Sequence, residues 1–234
     1  MTAALDPEAV HPSLWRASQL ARNHTRCIDT GHPALSNLLP GKGWPTGALV
    51  DLMTQQPGIG EMRLLAPALS AVAERKVVLL QPPHAPQALA LAAMGIQPSN
   101  AIWLRAERTA DMLWAAEQVL RSGSCGALLF WQAQVRSDSL RRLHLAAQSG
   151  ETLFFMMRPM AAAQGASPAP LRLGLRPKAG GIEIEFVKRR CPQRDEPLFL
   201  PMSITTSRPL PARETTPLQP EVAPAIARAS MVDA

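Results

Sequence analysis

The sequence predicts an α/β fold: a mostly parallel sheet flanked by helices on both faces, with antiparallel strands at the C-terminal end. Three observations carry this. Short apolar runs alternate repeatedly with segments of helical periodicity. The runs are continuously apolar, as in strands buried on both faces. Late in the chain, Leu171–Arg176 and Ile182–Val187 are joined only by Pro177-Lys178-Ala179-Gly180-Gly181, which predicts an antiparallel pair extending the sheet.

Residues 1–29 read as an N-terminal helical lead-in. There Leu14, Ala17, Leu20 and Ala21 recur at helical spacing between Ser13 and about Asn23. Residues 30–202 form the core. A stretch rich in Gly and Pro (30–47) leads into a strand over Ala48–Met53. A Gly-bearing turn follows at Gln55–Gly60, and then a helix from Glu61 to about Arg75, with Pro67 as its irregularity. Val77–Leu80 is a buried strand ended by Pro82-Pro83. A helix near Pro86–Met94 is closed by Gly95, and Ile102–Leu104 is a short strand. Thr109 caps a helix reaching Arg121, with Asp111 favourable in its first turn. Ala127–Trp131 is the next strand. From Ser137 or Asp138 a helix turns Leu140, Leu143 and Ala147 inward and Arg141 and Arg142 outward, and Gly150 ends it. Thr152–Met157 is a strand and 159–169 a small-residue loop. Residues 203–234, rich in Pro, Thr and Ala with few large apolar side chains, read as a disordered tail.

The 234 residues suffice for one α/β domain with a real core. Only 4% are aromatic and none is Tyr, which argues against a platform for stacking single-stranded bases. The net charge of +6 favours acidic partners without specifying one. Arg141, Arg142, Lys188, Arg189 and Arg190, with Arg172 and Arg176, form a candidate basic patch for DNA phosphates; the competing reading is a solvated helix face and strand end. Cys27, Cys125 and Cys191 are odd in number and far apart, which speaks against a disulfide framework or a zinc site, and Cys125 reads as buried. Trp44, Trp103, Trp114 and Trp131 read as core or rim packing. The five His show no metal-ligating spacing, and no paired carboxylates or nucleophile elbow stand out. No catalytic residue, metal or cofactor is expected. With Asp6 and Glu8 early, no signal-type apolar region and no membrane-length run, a cytoplasmic protein is expected.

The order strand, Gly-bearing turn, helix over Ala48–Arg75 is where a phosphate-binding P-loop would lie. Laid on the GxxxxGK[ST] pattern, Gln55 takes the first Gly, Gly60 the second, Glu61 the Lys and Met62 the hydroxyl residue. Only Gly60 fits. A carboxylate about 4 Å from a phosphate repels it by about 1–4 kcal/mol, and Met62 offers no hard oxygen to Mg²⁺. The strand Leu128–Trp131 runs into Gln132, where an ATPase places an acid. Trp131 is a candidate plug for the vacated site. Gly58 and Gly60 read best as a tight turn without a ligand.

The lead-in Thr30-Gly31-His32-Pro33 through Leu39-Pro40-Gly41-Lys42-Gly43-Trp44-Pro45-Thr46-Gly47 resembles that of RecA-like ATPases, with Asn37 near a position usually Asp. More closely, LPGKGWPTGAL (39–49), GIGEMRLLAPAL (58–69), LLQPPHAP (79–86), WAAEQVLRSGSCGALLFW (114–131), RRLHLAAQSG (141–150) and FVKRR (186–190) resemble the ImuA family, over roughly residues 12–200. Cys191 departs from the Gly expected after that last motif. The resemblance implies a RecA-like core with a degenerate loop and an accessory role in SOS-induced translesion synthesis. It implies contacts with RecA, with an inactive Y-family polymerase homologue of the ImuB type, and with an error-prone polymerase of the DnaE2 type. A related alternative is the shorter division inhibitor SulA, which binds FtsZ; a basic DNA-binding module is another. Leu14, Trp15 and Leu20 of the lead-in are the first candidate partner contact, and the tail from 207 the second.

Overall fold

The structure, a computed structural model, describes residues 26–189 and 196–202. The helix expected at Ser13–Asn23 with Leu14, Trp15 and Leu20, the tail from 203, Arg190 and Cys191 lie outside the described residues.

An eight-stranded sheet forms the body. In chain order its strands are β3 (Ala48–Thr54), β4 (Lys76–Leu80), β5 (Ala101–Leu104), β6 (Cys125–Trp131), β7 (Leu153–Pro159), β8 (Leu171–Lys178), β9 (Gly181–Lys188) and β10 (Leu198–Pro201). Before them, β1 (Cys27–Ile28) and β2 (Trp44–Pro45) pair in a small antiparallel ribbon. The order across the large sheet is β10-β9-β8-β3-β7-β6-β4-β5. From β8 to β5 every pairing is parallel, and β9 and β10 add antiparallel. The expected architecture is therefore present. β10 was not anticipated, because the run Leu198–Pro201 is short and carries Pro at its end.

All seven residues of β3 are buried, which explains why its run is apolar but for Asp51 and Thr54. Alternate residues serve two cores. Val50 and Leu52 face α2 (Glu61–Ala71) and α3 (Ala88–Ala93) through Leu64, Leu65, Leu69 and Leu91. Leu49, Phe130 and Phe154 face α4 (Thr109–Ser122) and α5 (Ser137–Ala147) through Met112, Leu120, Leu140 and Leu143. Each such side chain contributes about 1.5–3 kcal/mol on burial.

Helix α2 keeps Pro67 inside it and ends at Ala71, short of the expected Arg75. Pro67 lies against Gly31, where an added Cβ would sit 2.2 Å from Pro67 Cβ. Gly31 also has φ +74°, so the turn before α1 (Pro33–Ser36) requires glycine on two counts. Helix α4 is capped by Arg108 rather than Thr109, without a side-chain hydrogen bond; Thr109 is its first helical residue. Gln148 ends α5 before Gly150 is reached. The loop after β7 holds a 3₁₀ turn, Met160–Gln164.

One polar cluster crosses the α4–α5 side of the sheet. Asp51, at the middle of β3, is 0% exposed. Its Oδ2 accepts a hydrogen bond from Arg172 Nε of β8 at 3.2 Å, and Arg158 Nη1 of β7 lies 3.7 Å away. Removing one partner of such a pair leaves an uncompensated buried charge. Asp51→Ala is expected to cost about 3–5 kcal/mol, read from the midpoint of urea unfolding. A loss below about 1 kcal/mol would mean that the two guanidinia are hydrated rather than held by Asp51.

Candidate functional site

The C-terminal ends of β3, β4, β6 and β7 meet along one rim. From β3 the chain moves to β4 on one side, whereas from β7 it crosses to β8 on the other. In parallel sheets the crevice at such a switch point is where ligands bind. Here it is a cleft of about 390 Å³, with Gln55, Glu61, Gln81, Trp131, Gln132 and Arg158 among its lining residues.

The turn after β3 shapes one wall. Gly58 has φ +85° and Gly60 φ +114°, backbone conformations that a Cβ disfavours. They turn their N–H groups toward the start of α2. There the Glu61 carboxylate accepts from Gly58 N–H through Oε1 at 2.7 Å and from Gly60 N–H through Oε2 at 3.1 Å. Glu61 is 4% exposed and stands in the first turn of α2, at the positive end of the helix. A carboxylate of the chain thus occupies backbone donors of the kind a phosphate loop offers its ligand. Sequence reasoning gave the sign of this residue's effect on a phosphate but not its contacts. Gln55 is exposed at the cleft, and Met62 packs against the core.

Opposite the loop, Trp131 is half-buried against the cleft and Gln132 follows it. Gln132 N–H donates to Met157 O at 3.2 Å, so the end of β6 is closed onto β7. Gln81, with φ +55°, turns into the same space, and its buried Oε1 has no protein partner.

Among the described residues the basic candidates fall into two groups, Arg141 and Arg142 on α5, and Arg172, Arg176, Lys188 and Arg189 on or beside β8 and β9, where Arg172 and Lys188 are register partners. Arg141 is exposed on α5. The Arg142 guanidinium is bonded to Glu117 of α4, whose carboxylate also holds Arg121 at 2.7 Å. Lys188 Nζ donates to Ser167 O at 3.1 Å. Arg189 Nη1 donates to Leu38 O at 2.8 Å and lies over the Phe186 ring. Arg172 is buried against Asp51, so it belongs to no surface track, and Arg176 pairs with Glu185.

Of the tryptophans, Trp44 is buried edge-on to Phe155 at 5.3 Å. Trp103 and Trp114 correct the packing expectation: they are 47% and 63% exposed. Cys125 is buried as expected. His144 Nδ1 accepts from Leu49 N–H at 3.3 Å, a role inside the fold. Among the described residues no cluster of His, Cys, Asp or Glu is placed to hold a metal, and no helix is long and apolar enough to cross a membrane.

No family model matches the chain. A curated protein does. Over 109 residues the sequence is 29% identical to the cell division inhibitor SulA of Edwardsiella piscicida. The match covers 46% of this chain and 65% of that protein, so the chain spans just under two thirds of the length of the relative it matches. The relation to SulA is distant and partial.

The loop geometry makes a prediction of its own. Glu61→Ala frees two backbone donors and should destabilise the domain by about 1–3 kcal/mol in urea unfolding. Pyrophosphate should then raise the melting temperature of the variant more than that of the parent. Equal responses would show that the emptied loop is not an anion site.

Proposed function

We propose that the protein is a non-hydrolysing RecA-like adaptor of the ImuA type, acting through contacts with other proteins in SOS-induced translesion DNA synthesis. The observation that carries this reading is the Glu61 carboxylate on Gly58 and Gly60 N–H. A nucleotide would have to displace a buried charge that already satisfies those donors. Two further features agree with it. Met62 offers no oxygen to Mg²⁺, and β6 ends in Trp131 and Gln132 where a hydrolysing site needs a carboxylate. No nucleotide, metal or other cofactor is required. The quoted ImuA-like motifs supply the biological setting and the partners: RecA, the ImuB-type polymerase homologue and the DnaE2-type polymerase. The role is that of a protein-binding domain and not of an enzyme.

A second reading is favoured by the partial identity with SulA: a division inhibitor that binds FtsZ. Direct DNA binding draws less support, because the basic residues are spread over separate elements and several are engaged by neighbours.

Capture of the tagged full chain from its own cells after DNA damage, with and without nuclease, separates these readings. Recovery of RecA and the damage polymerases that survives nuclease is the expected result. Recovery of FtsZ would transfer the chain to the division-inhibitor branch, and loss of every partner on nuclease treatment would make DNA the ligand. In the purified protein, Trp131 fluorescence should be unchanged by Mg-ATP.

A further inference from the structure

Arg158 is the last residue but one of β7 and is 9% exposed. Its Nη1 lies 3.7 Å from Asp51 Oδ2, beyond hydrogen-bond range, and neither Nε nor Nη1 has a hydrogen-bond partner. Asp51 is already bonded to Arg172. One carboxylate therefore faces two guanidinia, which leaves one buried positive charge in excess. Such a charge is costly unless something pairs with it.

Arg158 lines two neighbouring clefts. The first lies beside the loop, where Glu61 already contributes negative charge. The second, about 710 Å³, opens where α4 and α5 begin. Its walls include Leu113, Val135 and Ala161, with Thr109, Ser139 and Arg136 as polar members. No acidic side chain lines it; Asp111 and Asp138, in the first turns of the same helices, are not among its walls. Both helices begin at this cleft and add positive potential to it.

We propose that this second cleft binds the carboxylate of a Glu or Asp in an apolar segment of a partner protein. Arg158 is its ion-pair partner, and Leu113 and Val135 take the side chain beside it. A carboxylate fits better than a phosphate because its flat two-oxygen head can reach a guanidinium that is nine-tenths buried between apolar walls, where a phosphate would have to shed more hydration; Arg136, the other cation of the lining, is exposed and keeps its own hydration. The proposal rests on the adaptor reading, since it names the chemistry of the protein partner.

The test is a titration of the ¹⁵N-labelled full chain with acetyl-Leu-Glu-Leu-amide, with its Gln counterpart, and with inorganic phosphate. The signals followed are Arg158 Nε–H and the amides of Thr109 and Ser139. The Glu peptide should shift all three and bind about tenfold or more tightly than the Gln peptide, as loss of a charge-assisted bond requires. Ala161→Leu narrows the cleft at a residue whose own carbonyl is not among those that Arg172 holds, Ala162 O and Ala163 O. It should abolish the shifts and leave the unfolding midpoint unchanged. Shifts with phosphate alone, or with none of the three probes, overturn the proposal. Capture from damaged cells separates it from the adaptor reading. If Ala161→Leu retains every protein partner, the cleft assignment fails and the adaptor reading stands. If the peptide binds but no protein partner is ever captured, the adaptor reading fails and the chemistry of the cleft stands.

Discussion

Asp51 sits where a charge is hardest to keep, mid-way along a strand whose seven residues are all buried. It is held there by Arg172, its register partner on the adjacent parallel strand β8. A slip of one residue would turn Arg172 to the opposite face of the sheet and leave both charges alone. The pair therefore fixes how β8 joins β3, and through β8 it fixes the antiparallel strands beyond. Arg172 reaches further. Its Nη2 donates to Ala162 O at 2.7 Å and its Nη1 to Ala163 O at 3.3 Å, so the same guanidinium holds the 3₁₀ turn after β7. That turn forms one wall of the cleft between α4 and α5.

On the same rim, a second carboxylate solves a different problem. A turn with two left-handed glycines at the start of a helix concentrates backbone donors and positive potential. In a nucleotide-binding protein the ligand completes that arrangement, and its loss releases it. Here Glu61 completes it from within the chain. A ligand could reach these donors only by displacing the Glu61 carboxylate from them.

Much of this architecture was legible in the residues. Continuous apolar runs fixed the identity of the buried strands, and Gly180 and Gly181, at the start of β9, marked the antiparallel turn. The failures have physical causes. Thr109 has the chemistry of a cap, yet the chain enters α4 one residue earlier and leaves Arg108 at that position. Trp103 and Trp114 are apolar by type, but one lies on the short strand at the far side of the sheet and the other on the outer face of α4. Arg172 looked like a surface cation because burial is invisible without the fold. The site itself was half legible. Position 61 was recognisable as foreign to a phosphate loop, but its bonds to Gly58 and Gly60 depend on turn geometry. The signals for the remaining part were single charges inside apolar runs: Asp51 within ALVDLM and Arg158 within FFMMRP. Such residues are buried at a cost that the fold or a ligand must offset.

Glu61 and Arg158 also explain why the two clefts, though adjacent, are not equivalent. They share Arg158, Pro159 and Ala133 as a common wall. On the loop side, a carboxylate of the chain offsets the positive potential of a helix start. On the other side two helices begin with no such carboxylate in the cleft, and Asp51 is committed to Arg172. On the α4–α5 side the buried Arg158 guanidinium has no hydrogen-bond partner at Nε or Nη1. A carboxylate supplied by a partner would complete it, as Glu61 completes the loop.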